Sequence, residues 1–397
     1  MYTSLSSFRA PRLFAVGFVL IASGFTAQAQ WTVTVLHPEG AAFSECHAAD
    51  GENQAGRAAV GGLYRAGLWR GTAASWVDLN PEHATQSWAT TVSDGRQAGW
   101  AEVGGIRRAS LWNGSAESWV DLHQAGWTVS VIFGAGGGQQ VGYVSDDEGR
   151  ASLWSGTAAS WVDLSPGITD LEYSEAHATD GKQQVGFYFD EATQRDHACV
   201  WSGTGTSMVD LHPFGSLGSI ALAVSDGQQA GFVYVSGYNE HATLWSGTAA
   251  SRVDLNPVGA IASMVYGMSA GQQVGWAWVD GVVRASLWSG TADSWEDLHQ
   301  VLPDEFTRSR ARAISNDGVH VYVAGYGTTT ALTTKALLWT RPLCRADFNG
   351  DGFATGIDYD LYVQAFEAGE AAADFDGDGF ITGIDFDLYV QAFVEGC

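Results

Sequence analysis

The chain has 397 residues, with 19 Lys and Arg against 44 Asp and Glu, and a formal net charge of −25. A protein this acidic is repelled by nucleic acid and by anionic lipid surfaces, which argues against either as a partner. Fifty Gly and 17 Trp, with almost no charged residues at helical spacing, point to an all-β body.

Residues 1–29 read as a secretory signal. Arg9 and Arg12 supply a basic start, residues 13–25 an apolar core, and Ala27-Gln28-Ala29 a small-residue cleavage site. The apolar run is too short to cross a bilayer, and no later segment offers a membrane span. The protein is therefore expected to be secreted, extracellular or at the cell surface. Its four Cys would lie in a disulfide-permissive compartment, but they are too few to form a disulfide scaffold.

Residues 30–340 repeat one unit seven times. A Leu-Trp phrase recurs with its Trp at Trp69, Trp112, Trp154, Trp201, Trp245, Trp288 and Trp339, spaced by 42 to 51 residues. A second phrase, close to Asp-Gly-x-Gln-x-x-Gly, ends at Gly56, Gly99, Gly142, Gly186, Gly231, Gly275 and Gly325. A unit of this length fits four short strands, as in a propeller blade. In the fourth unit the first strand is expected to end near His177, with further strands over 184–189, 198–201 and 207–211. The seventh unit stops at Leu338-Trp339-Thr340, without a fourth strand. The segment Trp31 to Gly40 matches the fourth-strand phrase Met208 to Gly215 and can supply it. The expected fold is a seven-bladed β-propeller whose N-terminal strand closes the last blade. An open solenoid is the rival, and it would expose two apolar edges.

The region resembles the bacterial extracellular HAF-type repeat through His197-Ala198-Cys199-Val200-Trp201 and His241-Ala242-Thr243-Leu244-Trp245. That resemblance implies an extracellular repeat protein and no particular reaction.

A cation or His precedes each Leu-Trp phrase: Arg65, Arg108, Arg150, His197, His241, Arg284 and Lys335. Six units carry an Asp nine residues after the Trp: Asp78, Asp121, Asp163, Asp210, Asp254 and Asp297. A feature that repeats in every blade suits a strand-to-strand clasp better than a charged binding face. The seven Leu-Trp rings read as core. A second set, Trp76, Trp119, Trp161 and Trp295, gives way to Met208 and Arg252 in two units, and is a candidate for stacking on sugar rings. Gly267 to Gly271 matches a nucleophile-elbow pattern but lies in a turn between repeat strands, so it is set aside. Cys46 and Cys199 fall in distant units and read as buried free thiols. The segments 146–150, 190–196 and 325–330 vary most, which makes them the loops on which a glycan would be sought.

The C-terminal segment writes one loop-and-helix unit twice, 27 residues apart. The first loop carries Asp347, Asn349, Asp351, Phe353, Thr355 and Asp358; the second carries Asp374, Asp376, Asp378, Phe380, Thr382 and Asp385. Oxygen donors at loop positions 1, 3, 5, 7, 9 and 12, with Gly352 and Gly379 for the sharp turn, are what a Ca2+ ion requires. Two ions are expected. From 344 to 397 there are nine Asp and three Glu against one Arg, so bound cations would relieve strong repulsion and couple to folding.

This segment, 341–397, resembles a type I dockerin, the small α-helical module that docks secreted bacterial proteins onto cohesin partners. The Asp at position 12 and the Gly396-Cys397 ending belong to that resemblance. Cys344 and Cys397 suggest a disulfide joining the ends of the module. The implied partner is a cohesin-like or cell-envelope protein.

Together these features read as a secreted binding or interaction propeller, attached through a calcium-dependent module. The alternative is a polysaccharide-degrading glycoside hydrolase or lyase, although no pair of carboxylates stands out from the repeats. A structural surface-layer component is the third reading.

Overall fold

In the computed structural model, the described residues are 30–165, 173–349, 354–376 and 378–395. The expected signal segment, and Asp351, Phe353 and Cys397, lie outside them. The described chain forms two compact units, one ending at Leu343 and one beginning at Cys344.

The first unit is a seven-bladed β-propeller, seven antiparallel sheets of four strands each. The innermost strands are Phe43–Asp50, Ala84–Ser93, Val129–Gly136, Ser174–Thr179, Gly218–Ser225, Ala262–Ser269 and Phe306–Asn316. In the seventh blade the outermost strand is Thr32–Val35, pairing Thr32 with Thr340 and Val35 with Leu337. Ring closure reuses the contact found between all other neighbours. A Ser at the start of each inner strand accepts a backbone N–H from the third strand of the preceding blade. Ala66 N donates to Ser87 Oγ at 2.9 Å, and across the closure Ala336 N donates to Ser44 Oγ at 2.9 Å.

The Leu-Trp rings fill the space between blades. Trp112 packs against Ala55, Leu68 and Leu79 of the first blade, and Trp69 against Tyr322, Ala324 and Leu338 of the seventh. All seven are buried to 1% exposure or less. Replacing any of them by Ala should cost about 3–5 kcal/mol.

Two local expectations are corrected. In six blades the fourth strand is two residues long, Val209–Asp210 in the fourth, because a 3-10 turn occupies the preceding residues. Ser207 closes that turn: its Oγ accepts Ser202 N and donates to Thr204 O. In the seventh blade residues 325–329 are strand rather than loop, part of His320–Thr329. Tyr and Thr favour the pleated surface, and the turn moves to the four residues that follow.

Each inner strand carries a β-bulge at the same place, and Ala84–Ser93 and Phe306–Asn316 carry a second one near their start. The bulge swings a carbonyl onto the neighbouring strand, and the Gly of the second repeat phrase lies there. A Cβ on Gly56 would meet Glu45 O at 2.0 Å, and one on Gly142 would meet Val131 O at 1.8 Å. No side chain fits, which explains why the phrase ends in Gly in all seven blades.

The second unit contains α1 (Gly356–Ala368) and α2 (Gly383–Glu395). Thr355 and Asp358 form a capping box at the start of α1, and Gly369 ends it at φ 70°. The buried rings of Tyr362 and Tyr389 stack at 3.7 Å between centroids and 5° between planes.

Candidate functional site: the channel mouth

The repeated charges are clasps inside single blades. Arg65 meets Asp78 at 2.6 Å, Arg108 meets Asp121 at 2.8 Å, and Arg150 meets Asp163 at 3.3 Å. His197 meets Asp210 at 3.1 Å, His241 meets Asp254 at 3.0 Å, and Arg284 meets Asp297 at 2.7 Å. The seventh blade, which lacks the Asp, pairs Lys335 with Glu305 at 3.2 Å. The second Trp set is pinned in the same way. Trp119, Trp161 and Trp295 donate Nε1–H to Ser110, Ser152 and Ser286 at 2.8–3.0 Å, and Trp76 lies over Gly67. These half-buried rings are held against their own blades by the N–H edge. Cys46 and Cys199 are free and buried, and burial pushes the Cys46 thiol up to about 12. Ser269 ends a strand that turns directly into the next, so the elbow-like pattern has no helix behind it.

The bulges create something the repeat does not. In a bulge the extra residue is unpaired and its side chain is re-aimed. In the bulge that all seven blades share, the extra residues are His47, Thr90, Phe133, His177, Leu222, Tyr266 and Arg312. All seven line or adjoin one cavity of about 430 Å³ at the centre of the ring, within the usual size of a small-ligand pocket. One backbone geometry thus presents six kinds of side chain. The residues after them, such as Ala48, Ala178, Ala223 and Val224, are small or apolar and form the rest of the wall.

Towards the start of the inner strands the lining becomes aromatic and charged. His47 packs edge-on to Trp88 at 4.8 Å, and Trp88 in turn lies 6.3 Å from Trp100. Phe133 stacks on His177 at 4.8 Å. Antiparallel pairing of Phe43 with Ala59 brings the ends of the second strands to this same end of the ring, so the variable 146–150 and 190–196 segments flank it.

Two Glu–His pairs face the channel from the first and fourth blades. His47 Nε2 lies 3.2 Å from Glu45 Oε2, and Arg57 donates to the same oxygen at 2.9 and 3.1 Å. Burial pushes the Glu45 carboxyl up, but His47 and Arg57 outweigh it and hold it below the usual carboxylate range. Burial, assisted by the Arg312 and Arg57 charges and opposed by Glu45, pushes the His47 imidazole down to about 4. His47 is therefore neutral near pH 7 while Glu45 is charged. In the fourth blade His177 Nε2 lies 3.0 Å from Glu175 Oε2, and the Tyr173 hydroxyl donates to Glu175. Burial raises the Glu175 carboxyl; His177 and Tyr173 bring it below its ordinary value.

Among the described residues, one group brings three candidate metal-ligating side chains within 4.8 Å of one another: Asp374, Asp376 and Asp378. Gly379 N donates to Asp374 Oδ2 at 2.8 Å, and Gly379 itself turns at φ 86°. Asp385 accepts from Phe375 N at 2.8 Å and Thr382 N at 2.7 Å, and Asp358 accepts from Asn349 N at 3.0 Å and Thr355 N at 2.8 Å. The donor set of the second loop suits a hard divalent cation. Cys344 is disulfide-bonded.

Sequence reasoning missed the channel ring because it followed what repeats. The signal was present: in six blades the bulge residue stands nine positions before the Gly of the second phrase.

No family model matches the chain. No curated protein matches it in sequence. Its fold is similar to that of a Pyrococcus horikoshii acylaminoacyl peptidase (TM-score 0.52, 10% identity), covering 77% of this chain and 54% of that one. A Mycobacterium tuberculosis puromycin-hydrolyzing peptidase matches with TM-score 0.50 and 12% identity, covering 78% of this chain and 53% of that one. The chain thus spans about half the length of these two peptidases. An oligogalacturonate lyase in complex with manganese matches with TM-score 0.51 and 13% identity, over 80% of this chain and 95% of the lyase. At such identities the likeness is one of fold.

Proposed function

We propose that the protein is a secreted binding propeller that captures its ligand at the channel mouth, while the C-terminal module tethers it to a partner in a calcium-dependent manner. One observation supports the first half most strongly. The inter-blade Trp, the strand-two Gly and the Ser contact recur in all seven blades, whereas the seven bulge positions share a backbone geometry and present six kinds of side chain. A packing role would favour sameness; recognition of one asymmetric ligand needs difference.

For the tether, Asp374, Asp376, Asp378, Phe380, Thr382 and Asp385 would hold one Ca2+ and the corresponding residues of the first loop the other. The convergent carboxylates of the second loop and its Gly379 turn support this reading. The partner would be a cohesin-like or cell-envelope protein.

An enzymatic reading rests on the two Glu–His pairs in the first and fourth blades, which could serve as acid and base towards a polysaccharide. The test is a panel of polysaccharides and oligosaccharides presented to the full chain in calcium, scored for binding and for new reducing or unsaturated ends. The binding reading expects a retained ligand, lost on Phe133→Ala/Tyr266→Ala, with no product. Turnover abolished by Glu175→Gln would replace it with the enzymatic one.

A further inference from the structure

The chain carries far more acids than bases, yet Arg312 of the channel wall and Arg310, two residues before it on the same strand, have no acid. Elsewhere in the propeller the half-buried cations are engaged. The clasps hold Arg65, Arg108 and Arg284, Glu45 holds Arg57, Glu296 holds Arg341, and the Ser216 carbonyl takes Arg195. Arg310 and Arg312 make no ion pair or hydrogen bond among the described residues; the Nε of each is buried without a partner, as it is in Arg65, Arg108, Arg252 and Arg284, but those four reach a carboxylate through a terminal nitrogen. An unpaired guanidinium in such a setting is costly. In a protein with 44 acidic side chains, a local partner would be easy to supply.

Both guanidinium groups are nevertheless held in place. Arg312 lies 3.7 Å from the centroid of the Tyr266 ring, and Arg310 lies 5.4 Å from that of Trp276. Stacking uses the face of a guanidinium and leaves its N–H edge available, the edge that matches a carboxylate in a bidentate pair. The nearby Glu45 does not fill that role, because Arg57 and His47 already occupy it. Nor does His47 add charge, since it is neutral.

The rest of the lining describes the body of the ligand. Trp88, Trp100, Phe133 and Tyr266 contribute aromatic rings to the cavity wall, suited to the apolar face of a sugar. Between them, His47 and His177 each turn Nε2 to a Glu, and Nδ1 of both and the Tyr266 hydroxyl make no hydrogen bond among the described residues. Dispersed polar atoms between aromatic faces suit a ring bearing several hydroxyls. An extended peptide would ask instead for side-chain pockets.

Resting on the channel-mouth reading above, we infer that Arg312 and Arg310 clamp the carboxylate of a uronic-acid sugar, so that the ligand is an acidic oligosaccharide.

The experiment is calorimetric titration of the full chain in calcium with galacturonate and glucuronate oligomers of two to four rings. Their neutral galactose and glucose counterparts, and a tetrapeptide with a free C-terminus, are run beside them. The inference expects an oligouronate to bind at least about tenfold more tightly than its neutral counterpart, weakening as salt rises. Arg312→Gln and Arg310→Gln should each lower that affinity about tenfold or more, with Arg312→Lys losing less than Arg312→Gln. Because neither arginine is paired with a carboxylate of the protein, the Gln variants lose only the ring stacking and should melt close to the parent, which separates loss of the clamp from loss of fold.

Equal affinity for neutral sugars, no binding of any oligouronate, or indifference to both arginines would overturn the clamp. Preference for the peptide would overturn the sugar assignment. The channel-mouth reading fails separately, if whatever ligand binds is indifferent to Phe133→Ala and Tyr266→Ala as well as to the arginines.

Discussion

The rim and the channel of this propeller are built from the same seven repeats and obey opposite rules. On the rim, six blades join a cation or His to an Asp across the third and fourth strands, and the seventh substitutes Lys335 and Glu305. Two strands inward on the same sheets, the bulges present His, Thr, Phe, His, Leu, Tyr and Arg in turn. The rim solves a mechanical problem that is the same in every blade. At the channel the backbone problem is also the same, and Gly in the second strand solves it, but the side chain released by the bulge is free to differ. Repetition therefore marks structure in this molecule, and its interruption marks the site.

The sharpest way to break the comparison is to attack the device that links the two regions. Gly142→Ala would place a Cβ 1.8 Å from Val131 O, in backbone that cannot yield without undoing the bulge. It should destabilise the propeller by more than about 3 kcal/mol. Chemical denaturation reads this, and a loss under about 1 kcal/mol would show that the bulge does not depend on Gly.

Acid provides the next largest effect. The folded-state value of His47, about 4, lies below its ordinary value near 6.5. The unfolded chain thus binds the proton first. Stability is full above about pH 6.5, falls as pH drops towards 4, and levels off below that, a loss of up to about 3 kcal/mol. His212, pushed down to about 4 by burial and the neighbouring His197, titrates in the same window. His47→Gln should remove the channel share and leave the rest. A denaturation midpoint flat between pH 7 and 4 would contradict this.

Rim clasps should grade with burial. Asp297, 4% exposed in its side chain, should cost about 3 kcal/mol when changed to Ala, since Arg284 is then left without its carboxylate. Arg150 and Asp163, with side chains 49% and 35% exposed, should cost under about 1 kcal/mol. Equal effects would mean that the clasps act through something other than desolvation. Smallest of all, Leu222→Ala in the channel should change stability by less than about 1 kcal/mol, because its side chain is half-buried in the lining and not in the core.

Much of the fold was legible in the sequence for the reason just given. Periodic Trp and Gly reported the blade count, and the likeness between Trp31–Gly40 and Met208–Gly215 reported the closure strand. The rim pairs were legible because strand pairing turns a fixed spacing into a contact. The fourth strands were read too long, since the Ser that closes each 3-10 turn resembles a strand residue in composition. The second Trp set is half-buried, in line with its replacement by Met208 and Arg252, but that substitution does not reveal the Ser that anchors three of the rings. The channel ring was invisible to a search for motifs, being defined by the absence of one, and emerges only once the bulge is located from its Gly.

The most direct test of the central claim is a crystal structure of the full chain in calcium with the tightest-binding oligosaccharide from the panel. The account predicts ligand density at the channel mouth, against Phe133, His177, Tyr266 and Arg312. Density on the rim, over Trp119 or Trp161, with a channel unchanged from the free protein, would contradict it.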